Sequence, residues 1–600
     1  MKRIYAFFLI ALAAMSAAAQ TSPDGRISVS NDGKVLTVTC NDNGTSRTVC
    51  TISIPAIGEG QCRKITEKYW MVEGKQLKIC KKGTECTYPM ADGGFLTLRL
   101  FNDGIAFRTG RDAGSSCRSE EPVEMDFSSS TGNWLMRWTD SYEEFFPKNR
   151  RCRVNDHLAY PALFEYGNGL FALLSESGVR ADNAASSMFV TDPEGIFRIQ
   201  PDENPNNPEL SPWRVVIIGT LADIVESTLI TDNSDPCLLD DTSWIEPGVA
   251  SWIYWANNHG SNDYSIIRKY VDMAVELKLP YVLIDAEWDG MPDLPSNEGK
   301  TIEDAVKYAV DNGVKPLIWY SSSIGWLNGA PGPKFRLNKP EDREKEFAWC
   351  ESIGIKGIKI DFFSGDTNEN MKFMIDLMES AARHHLTVNF HGATTMRGWQ
   401  RTYPNLVSTE AVYGAEWYNN TPMFTNRAAA HNATLPFTRN VLGSMDYTPC
   451  AFSDSQHPHI TTNAHELALT ALFESGLQHL ADRPESFLAQ PQPVREYLGN
   501  LPTAWDETHY ISGYPGESAV LARRSGKTWY IAGINGLDES QSVDISAIRK
   551  LKIKGKNITL FADSGNPDAP WDIHMPMSLD ELGESIECQP RGGFTIVVRP

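Results

Sequence analysis

Between Gly248 and Pro493, short apolar runs alternate with amphipathic stretches of helical period, and that alternation constrains the fold more than any other feature of the chain. GVASWIYW, YVLIDAEW, KPLIWYSS, GIKGIKIDFF, LTVNFHGA and a run near Glu410 read as strands. SIIRKYVDMAVELK, IEDAVKYAVDNG and REKEFAWCESIG between them read as helices. Strands that alternate with helices build parallel β/α units. About eight units fit, so a (β/α)8 TIM-like barrel is expected over residues 237–507. Its last two strands are expected near Asn440 to Tyr447 and Leu477 to Leu480.

The flanks have a different period. Residues 20–236 hold alternating runs such as KVLTVTC, FLTLRLF, GIAFRTG and GLFALLSE, the pattern of an N-terminal β-sandwich. Residues 508–600 hold SAVLARR, TWYIAGI and FTIVVRP, which predict a small C-terminal β domain. Residues 1–19 carry Lys2 and Arg3, an apolar run and small residues before Gln20, the layout of a signal peptide. The run is shorter than the roughly 20 residues a membrane span needs. The expected product is exported and periplasmic. A formal net charge of −21 would repel nucleic acid and acidic membrane surfaces. Eleven cysteines leave at least one thiol unpaired, with the pairing open. No short His/Cys array suggests structural zinc, and no GxSxG or nucleotide-binding fingerprint occurs.

Parallel barrels place their chemistry at the carboxyl ends of the strands. Asp361 ends the fourth expected strand, and Lys359, two residues earlier, points to the same side and can hold it ionised. Asp361 could instead cap the following helix, but Asp366 and Asn368 are better placed for that. Glu410 and Glu416 flank AVYGA, an apolar setting that is costly for carboxylates unless they are paired, metal-bound or functional. His391 in FHGA reads either as a satisfied core histidine or as a partner of a hydroxyl or carboxylate. Asp285, Glu287 and Trp288 after the second strand, with Trp319 after the third, mix carboxylates and indoles. Such a mixture suits sugars, whose hydroxyls bond carboxylates while their apolar faces stack on rings.

KGIKIDF, NFHGA, RTYPNLVSTEAVYGAE, ATLPFTRNVLGSMDYTP and TTNAHELAL occur in that order, and with them the whole mature chain resembles glycoside hydrolase family 97. The resemblance implies exo-acting hydrolysis of α-glycosides, assisted by calcium. Inverting members carry a glutamate general base directly after the histidine of the fifth strand; Gly392 stands there. Retaining members carry a nucleophilic aspartate ending the fourth strand, which maps onto Asp361, and their acid/base maps onto Glu416. Calcium ligands map onto Glu176, Glu410 and Glu416. The segment FSGDTNEN after Asp361 departs from the fuller retaining pattern.

These readings converge on double displacement at the terminal α-linked sugar of an oligosaccharide or polysaccharide side chain. The two carboxyl groups are then expected about 5 to 5.5 Å apart. α-Galactosidase is the first expectation for the sugar and α-glucosidase the second. β-L-Arabinopyranoside is a further candidate because that pentose shares galactose's ring configuration. A glycan-binding protein that has lost catalysis should lack one of the two acids, and both are present. A metal-dependent isomerase or non-glycosidic hydrolase on the same barrel is the remaining rival.

Overall fold

The computed structural model describes residues 19–600 apart from 43, 92, 116–121, 202–206, 258, 419–420, 455–456 and 567. Residues 1–18 of the expected leader lie outside them. No described helix is long and apolar enough to cross a membrane.

Residues 20–219 form a 15-stranded antiparallel sheet folded into a sandwich. Side chains alternate between the two faces of a strand, and here both faces are buried. In the strand Trp213–Gly219, Val216 and Ile218 enter a core internal to the domain, whereas Val215 and Ile217 enter the core shared with the barrel. The sandwich is therefore built to be docked. A disulfide joins Cys62 to Cys86 across neighbouring strands. Cys50 and Cys80 of the same domain are free thiols.

The central domain is a parallel barrel whose strands are β1 (Gly248–Trp252), β2 (Tyr281–Ile284), β3 (Lys315–Ser321), β4 (Gly357–Asp361), β5 (Thr387–Phe390), β6 (Leu406–Thr409) and β7 (Leu477–Leu480). They are joined in the order β6-β5-β4-β3-β2-β1-β7. The seventh strand expected near Asn440 to Tyr447 is reduced to one parallel bridge, Thr409 to Met445. Met445 N–H also donates to Glu474 O just before β7, so this single residue nearly closes the ring.

Helices α1 (Tyr264–Leu277), α2 (Ile302–Asp311), α3 (Pro340–Ile353) and α4 (Asn368–Arg383) cover the outside. In α1, Asp263 caps the first turn through the N–H groups of Ser265 and Ile266. Ile267, Tyr270, Val271, Ala274 and Leu277 fall on one buried stripe of the same helix. Thr367, rather than Asp366 or Asn368, caps α4. Asp366 is fully buried and has another task, described below. Residues 507–599 close the chain with a six-stranded and a two-stranded sheet around a core of their own.

Glu73 of the sandwich meets Glu474 of the barrel in a dry interface. Ser444 Oγ lies 2.5 Å from Glu73 Oε2 and 2.7 Å from Glu474 Oε1. One hydroxyl hydrogen cannot serve both acceptors, so one carboxyl must carry a proton. Burial, and then Glu474, push Glu73 well above the ordinary carboxyl range. Nearby Lys75, pushed down to about 7 by burial, donates to two backbone carbonyls. A raised folded-state pKa means stability that is complete below the unfolded carboxyl pKa and lost as pH rises toward the folded value. Glu73→Gln keeps a donor there without a titrating proton. The thermal midpoint of the wild type should therefore fall more steeply than that of the variant as pH rises above the ordinary carboxyl range. Parallel midpoint-against-pH curves would refute the shared proton.

Candidate active site

β3 and β4 are in register, pairing Trp319 with Lys359 and Ser321 with Asp361. The period of two turns Lys359 and Asp361 to the same inner side. Asp361 ends buried, its Oδ2 accepting from Trp319 Nε1 at 3.1 Å and its Oδ1 from Phe362 N–H at 2.8 Å. Lys359 Nζ lies 4.0 Å from Asp361 Oδ2 and 3.0 Å from Asp285 Oδ2, which also accepts from Trp252 Nε1 at 2.8 Å. Burial disfavours the ammonium, but Asp285, Asp361 and Glu416 outweigh it and hold Lys359 above its usual range. Burial likewise raises Asp361, while Lys359 and His391 pull it back toward ionisation.

Glu410 follows β6. Its Oε2 accepts from Gly392 N–H at 2.7 Å, and its Oε1 lies 3.3 Å from His391 Nδ1. The other His391 nitrogen is 2.8 Å from Asp446 Oδ2, and His479 Nδ1 is 2.6 Å from the same oxygen. His391 overcomes burial and holds Glu410 below its usual range. Glu416 lies in the short turn Ala415–Tyr418, pushed well above its usual range by burial and then by Glu410. Ligand atoms of His391, Glu410 and Glu416 lie within 4.8 Å of one another, a group that could hold a metal ion.

Asp285, Trp319, Lys359, Asp361, Glu410 and Glu416 all line one cavity of about 620 Å³. The other expected residues lie elsewhere. His391 stands behind Glu410. Trp288 stacks on Trp349 and donates from Nε1 to Trp319 O at 2.8 Å, which makes it a support for Trp319 rather than a wall of the cavity. Glu287 pairs with His259 at 2.9 Å, also outside the lining.

Glu176 is the clear correction. Its carboxylate accepts from Arg397 Nη1 at 2.7 Å and Arg214 Nη1 at 2.9 Å, and it does not reach the cavity. Arg214 sits directly across from it on the next strand, so cross-strand pairing takes up the charge. The sandwich contributes Glu143 instead. Glu143 lines the cavity and accepts from Trp417 Nε1 at 2.6 Å. Burial, and then Glu410, push it up to about 8. Two glutamates among the aromatic residues of DSYEEFFP were the available sequence signal.

Three family descriptions match along the chain: Glycosyl-hydrolase 97 N-terminal over residues 21–236, Glycoside hydrolase 97 over 244–412, and Glycosyl-hydrolase 97 C-terminal, oligomerisation over 504–599. A probable retaining alpha-galactosidase of Streptomyces bingchenggensis is 35% identical over 487 residues, covering 78% of this chain and 73% of that protein. The chain belongs to glycoside hydrolase family 97. A retaining alpha-galactosidase of Bacteroides thetaiotaomicron is 24% identical over 572 residues, covering 84% of this chain and 83% of that one. The crystal structure of a beta-arabinopyranosidase matches with a TM-score of 0.86 at 26% identity, over 97% of this chain and 100% of that one.

This family 97 enzyme is a glycoside hydrolase, and Gly392 shows how closely its site is fitted. Its φ is +49°, and a Cβ there would meet Asp361 Oδ1 and Phe362 N at 3.0 Å. Gly392→Ala should therefore displace the Asp361 carboxylate and lower kcat by about 10²-fold while the near-UV circular dichroism stays unchanged. Steady-state kinetics check this, and an unaltered kcat would contradict the crowding.

Proposed function

We propose that the enzyme is an exo-acting, retaining α-galactosidase in which Asp361 is the nucleophile and Glu416 the acid/base. The observation that carries this reading is the pair of carboxylates in one cavity with Gly392, not a glutamate, beside Asp361. Deep in the cavity, Trp252, Asp285 and Lys359 offer an indole, acceptors and a donor to the hydroxyls of a single terminal sugar. Asp361 attacks the anomeric carbon; the bond to the leaving oxygen breaks and Glu416 gives that oxygen its proton. Glu416 then takes a proton from water as the water oxygen attacks the same carbon and releases Asp361. Trp319 Nε1–H and Phe362 N–H fix the Asp361 oxygens for the first step.

Galactose as the sugar is supported by the two relatives named retaining alpha-galactosidases. Similarity to the beta-arabinopyranosidase structure supports a second activity on β-L-arabinopyranosides. The two sugars share a ring configuration and differ in the carbon-six substituent.

Calcium fits the donor set. Glu143, Glu410 and Glu416 bring three carboxylates into one buried space, and two of them are driven toward protonation by burial and by Glu410. The nearest cations are engaged, Lys359 with Asp285 and His391 with Glu410 and Asp446. Three carboxylates suit a hard divalent ion, and His391 beside Glu410 completes the group whose ligand atoms lie within 4.8 Å of one another. Glu143, Glu410 and Glu416 would hold it. When bound, it supplies the positive charge that lets these carboxylates stand together.

Asp361→Ala should lose about 10⁴-fold in turnover on nitrophenyl α-galactoside and recover part of it with azide. NMR of the first sugar released by the wild type should show the α anomer. An inverted product, or full activity without Asp361, would overturn the assignment. Glu143→Gln should weaken calcium binding about tenfold by isothermal titration calorimetry. Unchanged binding would remove Glu143 from the ligand set.

A further inference from the structure

The cavity has an outer lip that the hydrolytic chemistry leaves unused. Of its described lining residues only Asp140 and Trp326 are exposed, and Trp326 is 52% exposed. Trp326 lies on the loop after β3, close in sequence to Ile324 at 36% and Leu327 at 40% exposure. A cluster of apolar side chains turned to solvent beside a cavity commonly marks a binding surface.

The position of this indole is fixed by the nucleophile's own neighbour. Its ring meets the ring of Phe362 edge-on, with centroids 4.9 Å apart and an interplanar angle of 85°. Phe362 is held at φ +67° with its N–H on Asp361, so it cannot swing away without disturbing Asp361. Gly325 N–H donates to Phe362 O at 3.0 Å, and a Cβ on Gly325 would come within 2.3 Å of that same oxygen. Only glycine lets the loop approach so closely. Ser322 Oγ ties the loop to Phe362 O a second time, at 2.7 Å. The loop thus carries Trp326 at a set distance from Asp361.

We propose that Trp326 is the platform for the leaving part of the substrate, on which the apolar face of a pyranose ring stacks once the terminal sugar is seated below. The proposal rests on the glycosidase reading above, though not on which sugar is released. The cavity floor is made of buried groups, so whatever lies beyond the scissile bond extends toward the lip. A sugar ring leaving that way presents axial C–H groups, and a half-exposed indole is their natural partner.

The test uses two substrates of whichever α-linked sugar the wild type cleaves: an α-linked disaccharide and the α-glycosyl fluoride, whose leaving group has no ring. Trp326→Ala should lower kcat/KM for the disaccharide about tenfold and leave the fluoride within about twofold. Trp326→Phe should restore most of the loss. Phe335→Ser, at a residue on the same loop that is more exposed at 63% and lies outside the cavity lining, should change neither substrate. Equal losses on both substrates would make Trp326 a prop for Asp361, and no loss on the disaccharide would remove it from binding; either result overturns the proposal. A wild type that cleaves α-glucosides but not α-galactosides would refute the sugar assignment and leave this test intact.

Discussion

The Arg397 guanidinium holds the two halves of the site together. It donates to Glu176 at 2.7 Å, to Asp366 at 3.0 Å and to Tyr142 Oη at 2.5 Å, all fully buried. Asp366 also accepts from Tyr142 Oη at 2.6 Å and Trp138 Nε1 at 3.0 Å. Glu176, Tyr142 and Trp138 belong to the sandwich, Asp366 and Arg397 to loops at the barrel mouth. Removing one member of such a network would strand charges in a dry interior, at a cost of about 3–5 kcal/mol. Tyr142 is held at φ +61°, and the next residue is Glu143. The clamp therefore delivers a carboxylate from one domain into the cavity of the other, and it explains why neither Glu176 nor Asp366 takes the role its sequence position suggested.

Around the cavity the charges divide into two sets. On the β2 and β4 side Lys359 neutralises Asp285 and approaches Asp361, which works against burial in favour of the ionised carboxylate. On the β6 side Glu143, Glu410 and Glu416 face the same cavity, with His391 beside Glu410 and already shared with Asp446. Two carboxylates share one ammonium in the first set, and three face one shared imidazole in the second. Under the proposed assignment the better-compensated carboxylate is the one that attacks, and the less compensated cluster leaves room for the charge of a bound cation.

Most of the barrel was legible because each strand is buried on both faces, and a continuous apolar run bounded by helical period has few other readings. β7 falls at Leu477–Leu480 as expected. The strand before it could not be read, since a single bridging residue has no period. Of the site, the strand-end residues Asp285, Lys359 and Asp361 follow from alternation once β2 and β4 are placed. Glu143 did not follow, because rules about barrel strand ends say nothing of a loop from another domain. Glu176 came from the family resemblance alone, and nothing in its apolar strand announces the arginine that pairs with it across the sheet.

Gly392 joins these strands of argument. In the inverting branch a glutamate is expected at this position, yet here the space above its Cα already contains the Asp361 carboxylate and the Phe362 amide. A side chain at residue 392 and the carboxylate held at the end of β4 crowd one volume, so a base at 392 would require Asp361 to shift. The glycine also gives its N–H to Glu410, a bond that places the backbone of β5's end close against the carboxylate cluster. On the proposed reading, retention is built from occupied space: Asp361 fills room that an inverting base would need, and the glycine that yields that room orients Glu410.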